Sequence, residues 1–261
     1  MYIHYEVSDR IATITLDRPE AANAQNGELL DELDAAWQRA AADDQVAVIV
    51  LRAEGKHFSA GHDLNDKSWP DPSSITLDTI YNLEARRYLE YSLRWRNIPK
   101  PSIAAVQGRC IAGGLLLCWP CDLIVAAEDA KFSDPVVMMG IGGVEYHGHT
   151  WELGARLAKE ILFTGRPVTA EEAARVGMVN TVVPRAELDS ATRALAARIA
   201  RMPAFGLRQA KRAVNQTLDV QGFYAAIQSV FDVHQTGHGN ALSVGGFPIL
   251  VKLDEMKAAL E

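Results

Sequence analysis

Val46-Ala47-Val48-Ile49-Val50-Leu51 is an unbroken apolar run of strand length with no polar alternation, the pattern of a β-strand covered on both faces. Upstream of it, Gly27 to Ala41 places Leu29, Leu30, Leu33, Ala36, Trp37 and Ala40 at helical spacing with acidic residues between them, an amphipathic helix. Further upstream, Ile11 to Leu16 alternates around β-branched residues and stops at Asp17-Arg18-Pro19, a strand running into a turn. The order is therefore β, α, β. It returns downstream: helix-like Tyr81 to Arg96, a stop at Pro99 and Pro101, strand-like Ile103 to Val106, a Gly-rich turn, apolar Ile111 to Trp119 and strand-like Leu123 to Ala126. Strands separated by helices predict parallel β/α units with right-handed crossovers, an α/β core. Beyond Pro184 the strand signals fade, and Glu187 to Arg201, Phe205 to Leu218 and Gln221 to Val233 keep helical spacing. Asp71-Pro72-Ser73-Ser74 reads as a mobile loop.

The composition agrees with a large buried core: 261 residues, 48% hydrophobic and 23% charged. A net charge of -7 without a Lys/Arg run argues against a nucleic-acid partner, whose phosphates need a basic face. Met1 to Arg10 contains Glu6 and Asp9 and lacks the apolar stretch of a secretory signal, so a cytoplasmic location is expected. The most apolar region, Ile103 to Ala127, is interrupted by Gln107, Gly108, Arg109, Pro120 and Asp122, short of the ~18 clean apolar residues of a membrane span. Cys110, Cys118 and Cys121 are an odd set in a long chain, as expected for reduced thiols.

Two segments put Gly directly after strand-like runs: Phe58-Ser59-Ala60-Gly61-His62-Asp63-Leu64 and Ile111-Ala112-Gly113-Gly114. Helix N-termini leave backbone N–H groups unpaired, so two of them converging at strand ends can cradle a developing oxyanion. Tight turns that need Gly for a positive φ are the alternative, and spacing alone leaves both open. Cys118-Trp119-Pro120-Cys121 has redox spacing, but it closes an apolar stretch, so burial is expected. Gly140-x-Gly142 lacks the third Gly of a dinucleotide fingerprint. His234 and His238 are four apart, yet Gly237 and Gly239 are expected to end a helix there, so no metal site is expected. Tyr81, Tyr88 and Trp95 fall at helical spacing and read as packing, with Tyr81 nearest the mobile loop.

Together, Asp17-Arg18-Pro19-Glu20-Ala21-Ala22-Asn23-Ala24, Phe58 to Leu64, Gln107-Gly108, Ala112-Gly113-Gly114, Cys121-Asp122, Phe132-Ser133-Asp134-Pro135, Leu162 to Arg166 and Gly177-Met178-Val179 closely resemble the enoyl-CoA hydratase/isomerase (crotonase) family. The resemblance implies a crotonase-like ββα spiral core over residues 1–198 and a C-terminal α-helical oligomerisation region over 199–261. It implies an acyl-CoA thioester as ligand, with coenzyme A as part of the substrate and no separate cofactor, and a homotrimer or dimer of trimers. By position, the N–H groups of Ala60 and Gly113 match the family's oxyanion donors. Ala22, Ala24, Gly61, His62, Asp63, Leu64 and Val136 match its substrate-lining positions.

The chain departs from the pattern where family hydratases carry two glutamates: those positions hold Leu116 and Val136, neither of which can move a proton. The segment Met139 to Trp151 offers Glu145 instead, resembling the single glutamate of some family isomerases, with His147 as a second candidate proton donor. The structural alternatives are that Glu145 caps a helix beginning near Thr150 and that His147 and His149 satisfy buried polar groups. Asp134 is a weaker candidate. The expected function is hydration of, or proton transfer on, an enoyl-CoA; the alternatives are a Δ3,Δ2-enoyl-CoA isomerase using Glu145 or a catalytically silent acyl-CoA-binding member.

Overall fold

The computed structural model describes residues 1–69, 74–251 and 255. Apart from Ser74, the expected mobile loop Asp71-Pro72-Ser73-Ser74 lies outside the described residues.

The chain opens with the antiparallel pair β1 (Ile3–Ser8) and β2 (Ile11–Leu16), then α1 (Gly27–Ala42) and β3 (Val48–Ala53). Asn26 caps α1 by accepting the Leu29 N–H (2.9 Å), and the helix buries Leu29, Leu30, Leu33, Trp37 and Ala40. Next come α2 (Leu77–Glu84), a π-helical turn (Ala85–Leu89), α3 (Glu90–Arg96), β4 (Ser102–Val106), β5 (Arg109–Ile111), a 3-10 turn (Ala112–Gly114) and α4 (Leu115–Cys118). They are followed by β6 (Leu123–Ala127), β7 (Lys131–Ser133), a 3-10 turn (Val136–Met139), α5 (His149–Thr164), β8 (Val168–Thr169), α6 (Ala170–Val176) and β9 (Thr181–Val183). The chain then continues through α7 (Leu188–Ala200), α8 (Ala204–Val220) and α9 (Phe223–Gly245).

Among the described residues, one sheet runs in the order β1-β2-β3-β4-β6-β9, parallel from β2 onward, with Ile11 opposite Val48, Val50 opposite Ile103 and Val125 opposite Thr181. The apolar run of β3 is explained by its two faces. Ile49 and Leu51 belong to the core shared with α1 and α3, whereas Val48 and Val50 pack with Leu188, Ala196 and Ala200 of α7. In a smaller sheet, β5-β7-β8, β5 and β7 are the second strands of two turns, β4 handing over to β5 and β6 to β7 before the chain becomes helical, and β8 pairs antiparallel with β7. This is the ββα spiral the resemblance implies. It leaves the ends of β3, β4 and β7 on one side of the molecule.

One expectation is overturned here. α9 does not stop at Gly237 and Gly239 but runs to Gly245, capped by Gly246 in the left-handed conformation. Gly237 is needed for close packing: an added Cβ would lie 2.7 Å from the Gly140 carbonyl oxygen and 3.0 Å from Ile141 Cα. The three cysteines are free and buried, and burial pushes the Cys118 and Cys121 thiols up.

Candidate active site

The segment 58–64 leaves β3 and is stitched to two neighbours. Ser59 bridges to Cys110 of β5, and Gln25 bridges to His62 through Gln25 N–H to Gly61 O (2.8 Å) and Asp63 N–H to Gln25 O (3.0 Å). In such a parallel bridge the bonds run through the flanking residues, so the N–H of His62 points away from Gln25. The Ala60 N–H, in contrast, is engaged: it donates to Ala22 O at 2.9 Å, with Ala22 held in the left-handed region at φ 51°. The Ala60 N–H is therefore not free for the expected donor role, and the neighbouring N–H directed away from Gln25 is that of His62. Gly113 lies in the opening 3-10 turn before α4, where backbone N–H groups have no intrahelical partner.

The two loops touch. Gly61 sits at φ 90°, and a Cβ there would lie 2.7 Å from Ile111 O and 3.1 Å from Gly113 N. The Gln25 amide donates to Gly113 O (2.7 Å) and Ser59 Oγ (3.2 Å), cross-linking them. Gln25 and Ser59 escaped sequence reasoning because a buried amide in an Asn/Ala-rich loop has no spacing signature.

Glu145 is 2% exposed, and its Oε1 lies 2.9 Å from His62 Nε2, while Oε2 has no partner among the described residues. The His62 ring stacks on Tyr88 at 3.8 Å. Glu145 is held from behind: Asp134 accepts the Val144 N–H (2.9 Å) and lies 2.9 Å from His149 Nε2, both side chains fully buried. Burial pushes the Asp134 carboxyl up, but the His149 contact and the backbone N–H groups outweigh it and hold it below its ordinary value. Asp134 and His149 thus brace the loop.

A cavity of about 380 Å³ opens beside these groups. Glu145, His62, Leu64 and Val136 line it, together with apolar Ile141 and Phe247. His147 is not among the lining residues; burial and the neighbouring His149 lower its pKa to about 4, so it is neutral at ordinary pH. Ala22, Ala24, Gly61 and Asp63, expected to line the substrate site, are not among the residues lining this cavity. Arg18 donates to Ala24 O (2.9 Å) and pairs with Asp63 (2.7 Å). Tyr81 faces elsewhere, its hydroxyl donating to Asp232 at 2.8 Å. Leu116 is buried in α4, so both positions of the hydratase glutamates are apolar.

The cavity floor brings in residues that were not expected there: Glu84 from the end of α2, with His234 and His238 from α9. His234 and His238 share a face because the helix continues through Gly237, contrary to the expectation that Gly237 and Gly239 end it there. One ligand atom from each of Glu84, His234 and His238 lies within 4.8 Å of the others. Burial opposes charge on His234, but the Glu84 and Glu145 carboxylates outweigh it and raise its pKa to about 9.

The family model for enoyl-CoA hydratase/isomerase matches residues 6–238. The chain belongs to the enoyl-CoA hydratase/isomerase family. Within it, the Mycobacterium tuberculosis enoyl-CoA hydratase homologue EchA13 is 45% identical, over 94% of this chain and 83% of its own length. The Escherichia coli 2,3-dehydroadipyl-CoA hydratase is 33% identical, over 81% and 80%. A crystal structure from Mycobacterium thermoresistibile assigned as an enoyl-CoA hydratase superposes with a TM-score of 0.93 at 79% identity, covering 95% of this chain and 99% of that one. As a family member the chain is an acyl-CoA-processing enzyme. Its cavity is completed by residues 247–249, which lie beyond the family match.

Proposed function

We propose that this enzyme binds an enoyl-CoA with the thioester oxygen between the N–H groups of His62 and Gly113 and shifts its double bond by proton transfer through Glu145. The observation that carries this reading is the Glu145 carboxylate itself, buried at the cavity with one oxygen fixed by His62 and the other unpartnered. Two donors aimed at the thioester oxygen stabilise the enolate that forms when a proton leaves carbon; each such donor is worth about 3 kcal/mol of barrier. A single buried carboxylate can take a proton from the α-carbon of the 3-enoyl thioester, forming the dienolate, and return it to the γ-carbon, which regenerates the carboxylate and leaves the 2-enoyl thioester. Hydration asks for a further group to activate water, and Leu116 and Val136 offer none.

The test is to incubate the enzyme with a 3-enoyl-CoA and with crotonyl-CoA in D₂O, following deuterium at the α- and γ-carbons and the enoyl absorbance. Conversion of the 3-enoyl thioester that falls by about 10²–10⁴-fold in Glu145→Gln supports the reading. Hydration of crotonyl-CoA without isomerisation, binding without exchange, or full activity in the variant would overturn it.

A further inference from the structure

We propose that Glu84, His234 and His238 form a binding site for one divalent first-row transition-metal ion in the floor of the acyl cavity. The argument begins with which ring nitrogens carry hydrogen. His234 Nδ1 lies 2.6 Å from Gly143 O, and His238 Nδ1 lies 2.7 Å from Pro248 O. A carbonyl oxygen only accepts, so both Nδ1 atoms are N–H donors, and in the neutral rings both Nε2 atoms carry lone pairs. Those lone pairs converge: Nε2 to Nε2 is 3.1 Å, His234 Nε2 to Glu84 Oε2 is 3.1 Å and His238 Nε2 to Glu84 Oε1 is 3.3 Å. These acceptor atoms, all on buried residues, repel one another unless a positive charge lies among them, whether a proton on an Nε2 or a metal ion.

The geometry suits a metal ion. Bonds of ~2.0–2.1 Å to imidazole nitrogen and carboxylate oxygen give donor–donor edges of roughly 3.3 Å in a tetrahedral site. The Nε2–Nε2 edge is 3.1 Å, each Nε2 lies 3.1–3.3 Å from a different oxygen of the Glu84 carboxylate, and one ligand atom from each of the three residues lies within 4.8 Å of the others. The supporting contacts also fit: each ring is oriented by a backbone carbonyl, and the Gln235 amide donates to Glu84 Oε2 at 2.6 Å. Two imidazoles and one carboxylate favour zinc or ferrous iron over calcium or magnesium, which prefer oxygen donors. All three residues line the cavity, so a four-coordinate ion keeps one position toward it for water or a ligand oxygen. Glu145 Oε1 lies 3.9 Å from His234 Nε2, beside that open position. The inference does not rest on the reaction assigned to Glu145, because metal binding is read without substrate.

The experiment uses full-length untagged protein stripped with a chelator, titrated with Zn²⁺ against a competing chelator, and separately with Co²⁺ followed by visible absorbance. One equivalent of Zn²⁺ bound with submicromolar Kd, and a Co²⁺ spectrum without a thiolate charge-transfer band, is expected. His238→Gln should then weaken binding by more than the ~10–100-fold that loss of an outer partner costs. Absence of stoichiometric Zn²⁺ binding in the parent protein would overturn the proposal and leave a proton holding the cluster together. So would a thiolate spectrum, which would place the ion at the cysteines, or unchanged affinity in a folded His238→Gln variant.

Discussion

Gly113 has no room for a methyl group. A Cβ there would come within 2.7 Å of His62 Cε1 and Nδ1 and 3.1 Å of Gln25 Oε1, so Gly113→Ala must push the imidazole that holds Glu145. The expected result is a kcat lower by about 10²-fold, with stability reduced by roughly 1–3 kcal/mol. Steady-state kinetics and denaturant melts check both. Glu152, in the first turn of α5, makes a pH prediction: burial raises its pKa from 4.5 to about 7, and Arg96 only partly opposes this. Below pH 4.5 the group is protonated whether folded or not; between pH 4.5 and about 7 only the unfolded chain releases the proton, so stability is lost across that window. Glu152→Gln is therefore expected to raise Tm relative to the parent at pH 8 and not at pH 4. Glu145 was legible as a candidate because it stands where a familiar pattern breaks. The proposed role of the His62 N–H was not, since only the backbone bond from Ala60 to Ala22, set by a left-handed residue, shows which N–H is engaged.

At the scale of elements, β3, β4 and α1 were legible because five or more residues carry a sustained burial pattern. The strands β5, β7 and β8 were not, having two or three residues each, too few to display a period. α9 was cut short on paper because Gly reads as a helix end, whereas Gly237 answers a contact with a loop almost 100 residues away in sequence, at Gly140. That distinction is measurable. Gly237→Ala gains about 1 kcal/mol of helix propensity, but the overlap with backbone atoms at 2.7 and 3.0 Å outweighs it. A net loss of roughly 1–3 kcal/mol in chemical denaturation is expected; a stabilised variant would show that the loop yields.

For the whole molecule, the family is shown while the assembly is a matter for measurement. α8 has no buried residue in the single chain and leaves Phe205 and Val214 69% and 62% exposed, with Val220 at 89%. Apolar exposure on one helix fits a surface covered by further copies of the chain. Light scattering is expected to return three or six times the 28.5 kDa chain mass. Phe205→Asp is expected to lower that multiple while leaving each chain folded by circular dichroism.

The stretch that follows α9 ties these scales together. Leu250 N–H donates to Met139 O at 2.9 Å, Phe247 and Ile249 wall the cavity, and Pro248 O sets the hydrogen on His238. A few residues near the far end of the sequence therefore close one wall of the cavity, and in the proposed binding mode that wall would limit the length of the acyl group. Substitutions confined to this stretch would alter that wall while leaving Glu145 and His62 in place.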